Sequence, residues 1–353
     1  MKDHIVSCAL CVVLMCPAYG SAAGGAKAFR VGVLYWSMNI AGQVAMRKGL
    51  EDELARINAA AERNGNPTVV IETRVAGDGA EGIENQIKQM EDFITTGIDL
   101  LIVQPTDNAA LASALRQANA AKIPVIAYDQ YIDGGTLTAY RTSDNYQAGY
   151  LDGEYISSRF PAEKELQIVM VEYPHVSSTV ERVNGFIDAL SKSNRKYRIL
   201  KTYEAVEPVA GKKAGEGILH DFPDKGSIDV VFTVNDGGGL AVVDTLATAG
   251  RNEIQVATID GDPRSIDNIK AGRLTVIDSA QYCGPLGAEA MKAAYSVIMG
   301  KKPPFYALVP VFPITSETLR RYSGWSGPVS DDFIKPWKSV SPEWHGSLKV
   351  VRE

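Results

Sequence analysis

LLIVQPTDNAALASALRQANAAKIPVIAYDQ, residues 100–130, is the stretch that decides the fold. Leu100–Val103 is a short unbroken apolar run, as expected of a strand buried on both faces. It stops at Gln104-Pro105-Thr106-Asp107, where Thr106 or Asp107 can cap a helix running to about Ala121. Ile123–Tyr128 is a second apolar run, and it too stops at polar residues, Asp129 and Gln130. Strand, helix and strand in this compass form a βαβ unit, which requires a parallel sheet with helices packed on its faces.

The same rhythm extends in both directions. Upstream, Phe29–Trp36 (FRVGVLYW) and Thr68–Val75 read as strands, and Gly42–Ala61 and Gly82–Thr95 as helices. Downstream, Leu166–Val171, Tyr197–Thr202, Asp229–Val234, Ile254–Ile259 and Leu274–Ile277 read as strands. Ser178–Lys192, Gly211–Phe222, Gly237–Ala249 and Pro263–Ala271 are the helices between them. So many strands exceed one ordinary open sheet. The fold class predicted is therefore α/β, with two Rossmann-like lobes, each a parallel sheet flanked by helices, dividing near Ser143–Asn145. After Gly324 the pattern changes, with Trp325, Trp337 and Trp344 set among Pro, Ser and charges. This tail reads as an irregular extension packed on the surface.

Composition agrees with a globular chain: 353 residues, 45% hydrophobic and 22% charged. The balance of 36 basic against 42 acidic residues leaves −6, no electrostatic footprint for nucleic acid or anionic lipid. The N-terminus reads as a secretory signal: Lys2, then an apolar run over Ile5–Cys16, then small residues offering cleavage after Ala22 or Ala23. Cys8, Cys11 and Cys16 would leave with it. Cys283 then remains, so an internal disulfide is not expected. Met15 argues against lipidation at Cys16.

In open parallel sheets ligands bind beyond the carboxyl ends of the strands, so the residues just past each apolar run carry the information. They are Trp36 and Asn39, Gln104, Asp129 and Gln130, Asn235 and Asp236, Asp260 and Asp262, and Gln281. Carboxylates accept, and carboxamides both donate and accept, a set suited to hydroxyl-rich ligands. Each could equally cap the helix that follows it.

These segments together resemble the ribose/galactose type of periplasmic sugar-binding protein, with its type I solute-binding fold. The resemblance runs from about Arg30 to Pro313. It is carried by Ile102–Asp107, Ile123–Asp129, Ser143-Asp144-Asn145 with Gly149, Glu181–Phe186, Phe232–Asp236, Ile259-Asp260-Gly261 and Ala280-Gln281. It implies sugar-hydroxyl contacts at Asp129, Arg182, Asn235, Asp260 and Gln281, and places Ser143 in a matching segment. It implies lobes of residues 28–143 with 282–312 and 144–281 with 313–323, joined by a hinge, ahead of an extension at 324–353. The departures are in the first loop, Asn39-Ile40-Ala41-Gly42-Gln43, where the family often has two phenylalanines. Tyr35, Trp36, Tyr131 or Tyr173 could supply the missing stacking face.

The expected function is therefore capture of a small polar, sugar-like ligand in the periplasm by a monomer that closes about a hinge. The resemblance implies delivery to the permease of an ABC transporter, or presentation to a sensor kinase or chemoreceptor; the altered first loop leaves open a non-sugar, partly apolar ligand carried for another transport system. No cofactor, metal or catalysis is expected. Gly237-Gly238-Gly239 lacks the spacing and the Lys-Ser/Thr of a phosphate loop and reads as a flexible turn. The histidines are scattered, with His175 alone near the expected cleft. The signal, where a regulator of this fold would carry a helix-turn-helix, argues against DNA binding.

Overall fold

The computed structural model describes residues 28–351; the expected signal segment and its cysteines lie outside the described residues. Two sheets carry the chain. The first contains β1 (Ala28–Tyr35), β2 (Thr68–Val75), β3 (Leu100–Val103), β4 (Val125–Tyr128), β5 (Ala139–Ser143), β11 (Tyr306–Val309) and β15 (Lys349–Val351), in the order β15-β11-β5-β4-β3-β1-β2. The second contains β6 (Leu166–Glu172), β7 (Tyr197–Glu204), β8 (Val230–Thr233), β9 (Gln255–Asp260), β10 (Thr275–Gln281) and β12 (Val311–Ile314), in the order β12-β10-β9-β8-β6-β7. Pairing in these two sheets is parallel except at the edge strands β15 and β12, and β13 (Phe333–Ile334) and β14 (Glu343–Trp344) form a separate antiparallel pair. The two-sheet α/β expectation is met.

The helices are α1 (Ala41–Asn64), α2 (Gly79–Thr95), α3 (Ala112–Ala120), α4 (Asn145–Arg159), α5 (Ser177–Lys192), α6 (Pro208–Asp221), α7 (Asp236–Thr248), α8 (Pro263–Ala271) and α9 (Cys283–Ile298). Local chemistry sets their ends. Glu207 and Asp262 cap α6 and α8 ahead of Pro208 and Pro263, and Gly272 closes α8 with a left-handed backbone. In α1, Met46, Leu50, Ile57 and Ala61 form the buried stripe that faces the first sheet and α9. In α4, Gly149 lies against α5 so closely that a Cβ there would sit 1.8 Å from the Arg182 carbonyl oxygen.

Some expectations are corrected. The helix after β3 begins at Ala112, because the Asp107 carboxylate accepts from Ala109 N and Ala110 N and holds a separate turn first. Thr106 caps nothing; it is held by Gln86. The Gly237–Gly239 run is not a turn but the first turn of α7, with Gly238 pressed against α6. Helices α4 and α9 and strands β5, β11 and β12 are additional to those read from the sequence. β12 begins at Val311 in the second sheet, ahead of the boundary expected after 312.

The tail is built into the molecule. β15 extends the first sheet, and Trp344 is fully buried, donating from Nε1 to Val311 O at 2.8 Å. Lys335 forms a buried ion pair with Glu154 of α4 at 2.6 Å, and Trp337 Nε1 donates to the same carboxylate. One apolar cluster runs from Val31 and Leu50 through Tyr282, Val311 and Phe312 to Ile168 and Phe232, joining both layers.

Candidate functional site

The chain passes between the sheets after β5, after β10 and between β11 and β12, and the carboxyl ends of β1, β4, β8, β9 and β10 open onto one cavity. Its volume is about 340 Å³ with the mouth included. The predicted residues Trp36, Asp129, Gln130, Arg182, Asn235, Asp260 and Gln281 all line it.

Arg182, on the second turn of α5, is the hub. It is 3% exposed. Nε donates to Asn145 Oδ1 at 3.0 Å; Nη1 donates to Val234 O at 2.8 Å and to Asp260 Oδ1 at 3.1 Å. Gln281 Nε2 donates to the same Asp260 oxygen at 2.6 Å, while its Oε1 accepts from Ser143 Oγ at 2.7 Å. Asp260 Oδ2 and Arg182 Nη2 have no hydrogen bond to protein among the described residues. An acceptor and a donor on two cavity-lining residues thus remain for a ligand, a match for hydroxyls, which both donate and accept.

Asp129 reaches the cavity from the first sheet and is oriented by Gln104 Nε2, which donates to its Oδ2 at 3.0 Å. Asp129 (φ 66°) and Asp260 (φ 135°) both have positive φ, a strained conformation for a side-chain-bearing residue. Around Asp260 the strain is held by neighbours: Gly261 N donates to Asp278 Oδ1 and Asp262 N to Asp236 Oδ2. Burial raises the Asp260 carboxyl to about 6, against the lowering effect of Arg182 and Gln281. Burial also raises Asp129, opposed by its hydrogen bond from Gln104.

Asn235 takes both predicted parts. It caps α7, accepting from Gly238 N at 3.2 Å, and it lines the cavity while donating to Val206 O at 2.9 Å. Gln104 and Ser143 are buried behind the wall and act through Asp129 and Gln281. Tyr173 also stands behind the wall, its ring 6.2 Å from that of Trp36. Asn39 is not brought in; it donates to Asp78 Oδ2 at 2.6 Å outside this cavity. His175 pairs with Glu204 at the surface. Of the aromatics offered as stacking faces, Trp36 lines the cavity, Tyr35 is core, and Tyr131 packs edge-on against Tyr140.

Sequence reasoning missed Ile40, Gly42, Gln43, Met46, Val176, Ser178, Thr179 and Val206, which complete the lining. Gln43 accepts from Ser37 N and so fixes the first loop. Ile40, Val176 and Val206, with Trp36, form apolar faces opposite the polar set. A polar residue just beyond a β-run marked the others; these sit inside loops and helix starts with no such mark.

Direct bonds also cross between the layers beside the cavity. Ser177 N donates to Asn108 Oδ1 at 3.2 Å, Ser178 N to Gln130 Oε1 at 3.1 Å, and Tyr131 N to Ser177 Oγ at 3.0 Å. They tie the start of α5 to the first-sheet loops.

The sequence and the fold are similar to those of known proteins. The ribose import binding protein of Bacillus subtilis is 27% identical over 286 residues, 80% of this chain and 86% of that protein. A Caulobacter myo-inositol binding protein, solved with myo-inositol, is 26% identical with a TM-score of 0.71, covering 84% of this chain and 96% of that one. A solute binding protein from Actinobacillus succinogenes, solved with D-allose, shares the fold at 22% identity and a TM-score of 0.68, covering 83% of this chain and 100% of that one. The model of the periplasmic binding protein domain matches residues 31–302, and on that span the chain belongs to the periplasmic binding protein family.

Proposed function

We propose that this protein captures a small neutral ligand rich in hydroxyls, a monosaccharide or cyclitol, between its lobes and delivers it to the permease of an ABC transporter. The single observation that carries this is the convergence of buried Arg182, Asp260, Gln281 and Asn235 from one side and Asp129 and Gln130 from the other on one cavity. Ribose and myo-inositol, named for the two relatives above, have in common a ring of hydroxyls. A ring held edge-on by the carboxylates and Arg182 would lay its C–H face on Trp36 or Ile40.

The bodies that close are residues 28–143 with 282–310 and residues 144–281 with 311–323. Ligand on one body recruits donors from the other, so the closed state gains contacts that the open one lacks, and the bonds from Ser177 and Ser178 add to it. The chain acts in the periplasm as a monomer after removal of its signal near Ala22 or Ala23, and it performs no catalysis. Its hub arginine and Asp260 already hold each other, an arrangement for holding polar groups and not for moving a proton.

Isothermal titration calorimetry with D-ribose, D-allose, D-galactose and myo-inositol tests this reading. One-site binding is expected with at least one of them, weakened at least tenfold in Arg182→Met. Binding that Arg182→Met leaves intact, or binding confined to amino acids or lipids, would overturn it.

A further inference from the structure

We propose that the cleft has a second subsite, which takes the uncharged, flat or apolar substituent of a glycoside whose sugar ring occupies the polar cavity. The proposal rests on the sugar reading above and narrows its ligand class. Ile40, Gly42 and Asp260 wall both the polar cavity and a neighbouring chamber of about 800 Å³, mouth included. Ile40 stands at the junction, its Cγ2 3.4 Å from where a Cβ on Gly237 would be. The two chambers are therefore next to each other, parted at this point by an apolar side chain and a residue that has none.

The chemistry of the second chamber differs from that of the first. Pro208, Leu240 and Trp325 supply its apolar surface. Trp325 already donates from Nε1 to the Asp260 carbonyl at 2.7 Å, so what its half-buried indole offers is ring face. The charges nearby are matched within the protein. Asp244 is held by Arg264 at 2.9 Å and Arg273 at 2.8 Å; Asp262 caps α8; and Asp236, raised above the ordinary carboxylate range chiefly by burial, accepts from Thr258 Oγ1 and from Asp262 N, each at 2.8 Å. Asp236, Asp244 and Asp262 are engaged within the protein and Asp260 adds a further carboxylate, so the chamber does not suit a phosphate or another anion. A neutral group with a flat face fits.

Trp325 comes from the tail, beyond residues 31–302 that match the family. Its carbonyl accepts from Gly284 N of α9 at 2.8 Å while its indole bonds to Asp260, so the ring is fixed from both lobes at the chamber wall. The family match stops at residue 302, so Trp325 is a wall group that the family pattern does not define.

The test is calorimetry with D-ribose, D-glucose and D-galactose, each as free sugar, methyl β-glycoside and phenyl β-glycoside. For whichever sugar binds, the phenyl glycoside is expected to bind about tenfold tighter than the methyl one, the factor of one good aromatic contact. That ratio should fall to about one in Trp325→Leu. It should also fall in Ala241→Phe, which fills the chamber without removing any contact, so loss of the ratio cannot be put down to a damaged tail. A phenyl glycoside no tighter than the methyl one, or a ratio that neither variant moves, overturns the second subsite while leaving the sugar reading intact. Failure of every sugar and glycoside to bind overturns both.

Discussion

Replacing Asp260 by Asn should make the ligand-free protein more stable and a poorer binder, and the structure sets the size of each effect. Asn has the shape of the carboxyl group. Its Oδ1 can still accept from Arg182 Nη1 and Gln281 Nε2, and its Nδ2 takes the place of Oδ2, which has no protein hydrogen bond among the described residues. The carboxyl rises from 3.8 unfolded to about 6 folded, chiefly by burial. A raised value means that stability from this group is fully present below about pH 3.8 and is lost as pH climbs through 6. The difference of roughly two pH units corresponds to about 3 kcal/mol. Wild type and Asp260→Asn should therefore melt together near pH 4, and by pH 8 the variant should melt several degrees higher. Thermal unfolding of both proteins from pH 4 to pH 8 measures this, because the difference cancels groups the two share. Binding should move the other way: a hydrogen bond to a charged acceptor contributes about 1.5–3 kcal/mol, so affinity should fall roughly 10- to 150-fold. If the variant is less stable than wild type at pH 8, the attraction of Arg182 outweighs the burial cost and the electrostatic account of the site is wrong.

Other consequences can be measured in the same way. Gly149→Ala places a methyl group against the Arg182 carbonyl and must push α5 away from α4; a loss of about 1–3 kcal/mol is expected, with affinity falling alongside stability. Lys335→Met leaves Glu154 buried without its counter-charge and should cost about 3–5 kcal/mol in denaturant unfolding, whereas a tail that merely rests on the surface would cost almost nothing. Gln130→Ala removes the bond from Ser178 N and one cavity wall group; small-angle scattering of the ligand-free protein should show a larger radius of gyration than wild type.

What was legible in the sequence depended on whether one physical signal dominated. Leu100–Val103 was read to the residue because a parallel strand buried on both faces leaves an unbroken apolar run, and Thr68–Val75, a half-exposed edge strand, by its β-branched residues. α4 left no such trace: Asn145, Asp152 and Glu154 are buried in it, the two carboxylates each bonded through one oxygen to a partner distant in sequence, Ser279 and Lys335, so its apolar period is broken. β5 hides for the same reason, with Arg141, Thr142 and Ser143 buried in a strand. The site followed the same division. Residues ending a β-run, Asp129, Asn235, Asp260 and Gln281, announced themselves, whereas Val176 and Val206 read as ordinary loop apolars until tertiary structure placed them on the cavity. The tail misled because tryptophans spaced among prolines and charges carry no period: Trp344 is buried only once β12 exists for it to cover, and Trp337 packs on an α4 that the sequence had not marked.

The most direct test of the central claim is a crystal structure of the protein with a sugar or cyclitol that binds in calorimetry. The account predicts one molecule between the two sheets, with ring hydroxyls within hydrogen-bond distance of Asp260 Oδ2, Arg182 Nη2 and Asp129. A ligand seated elsewhere, or one in the cleft that leaves Arg182 and Asp260 untouched, would contradict it.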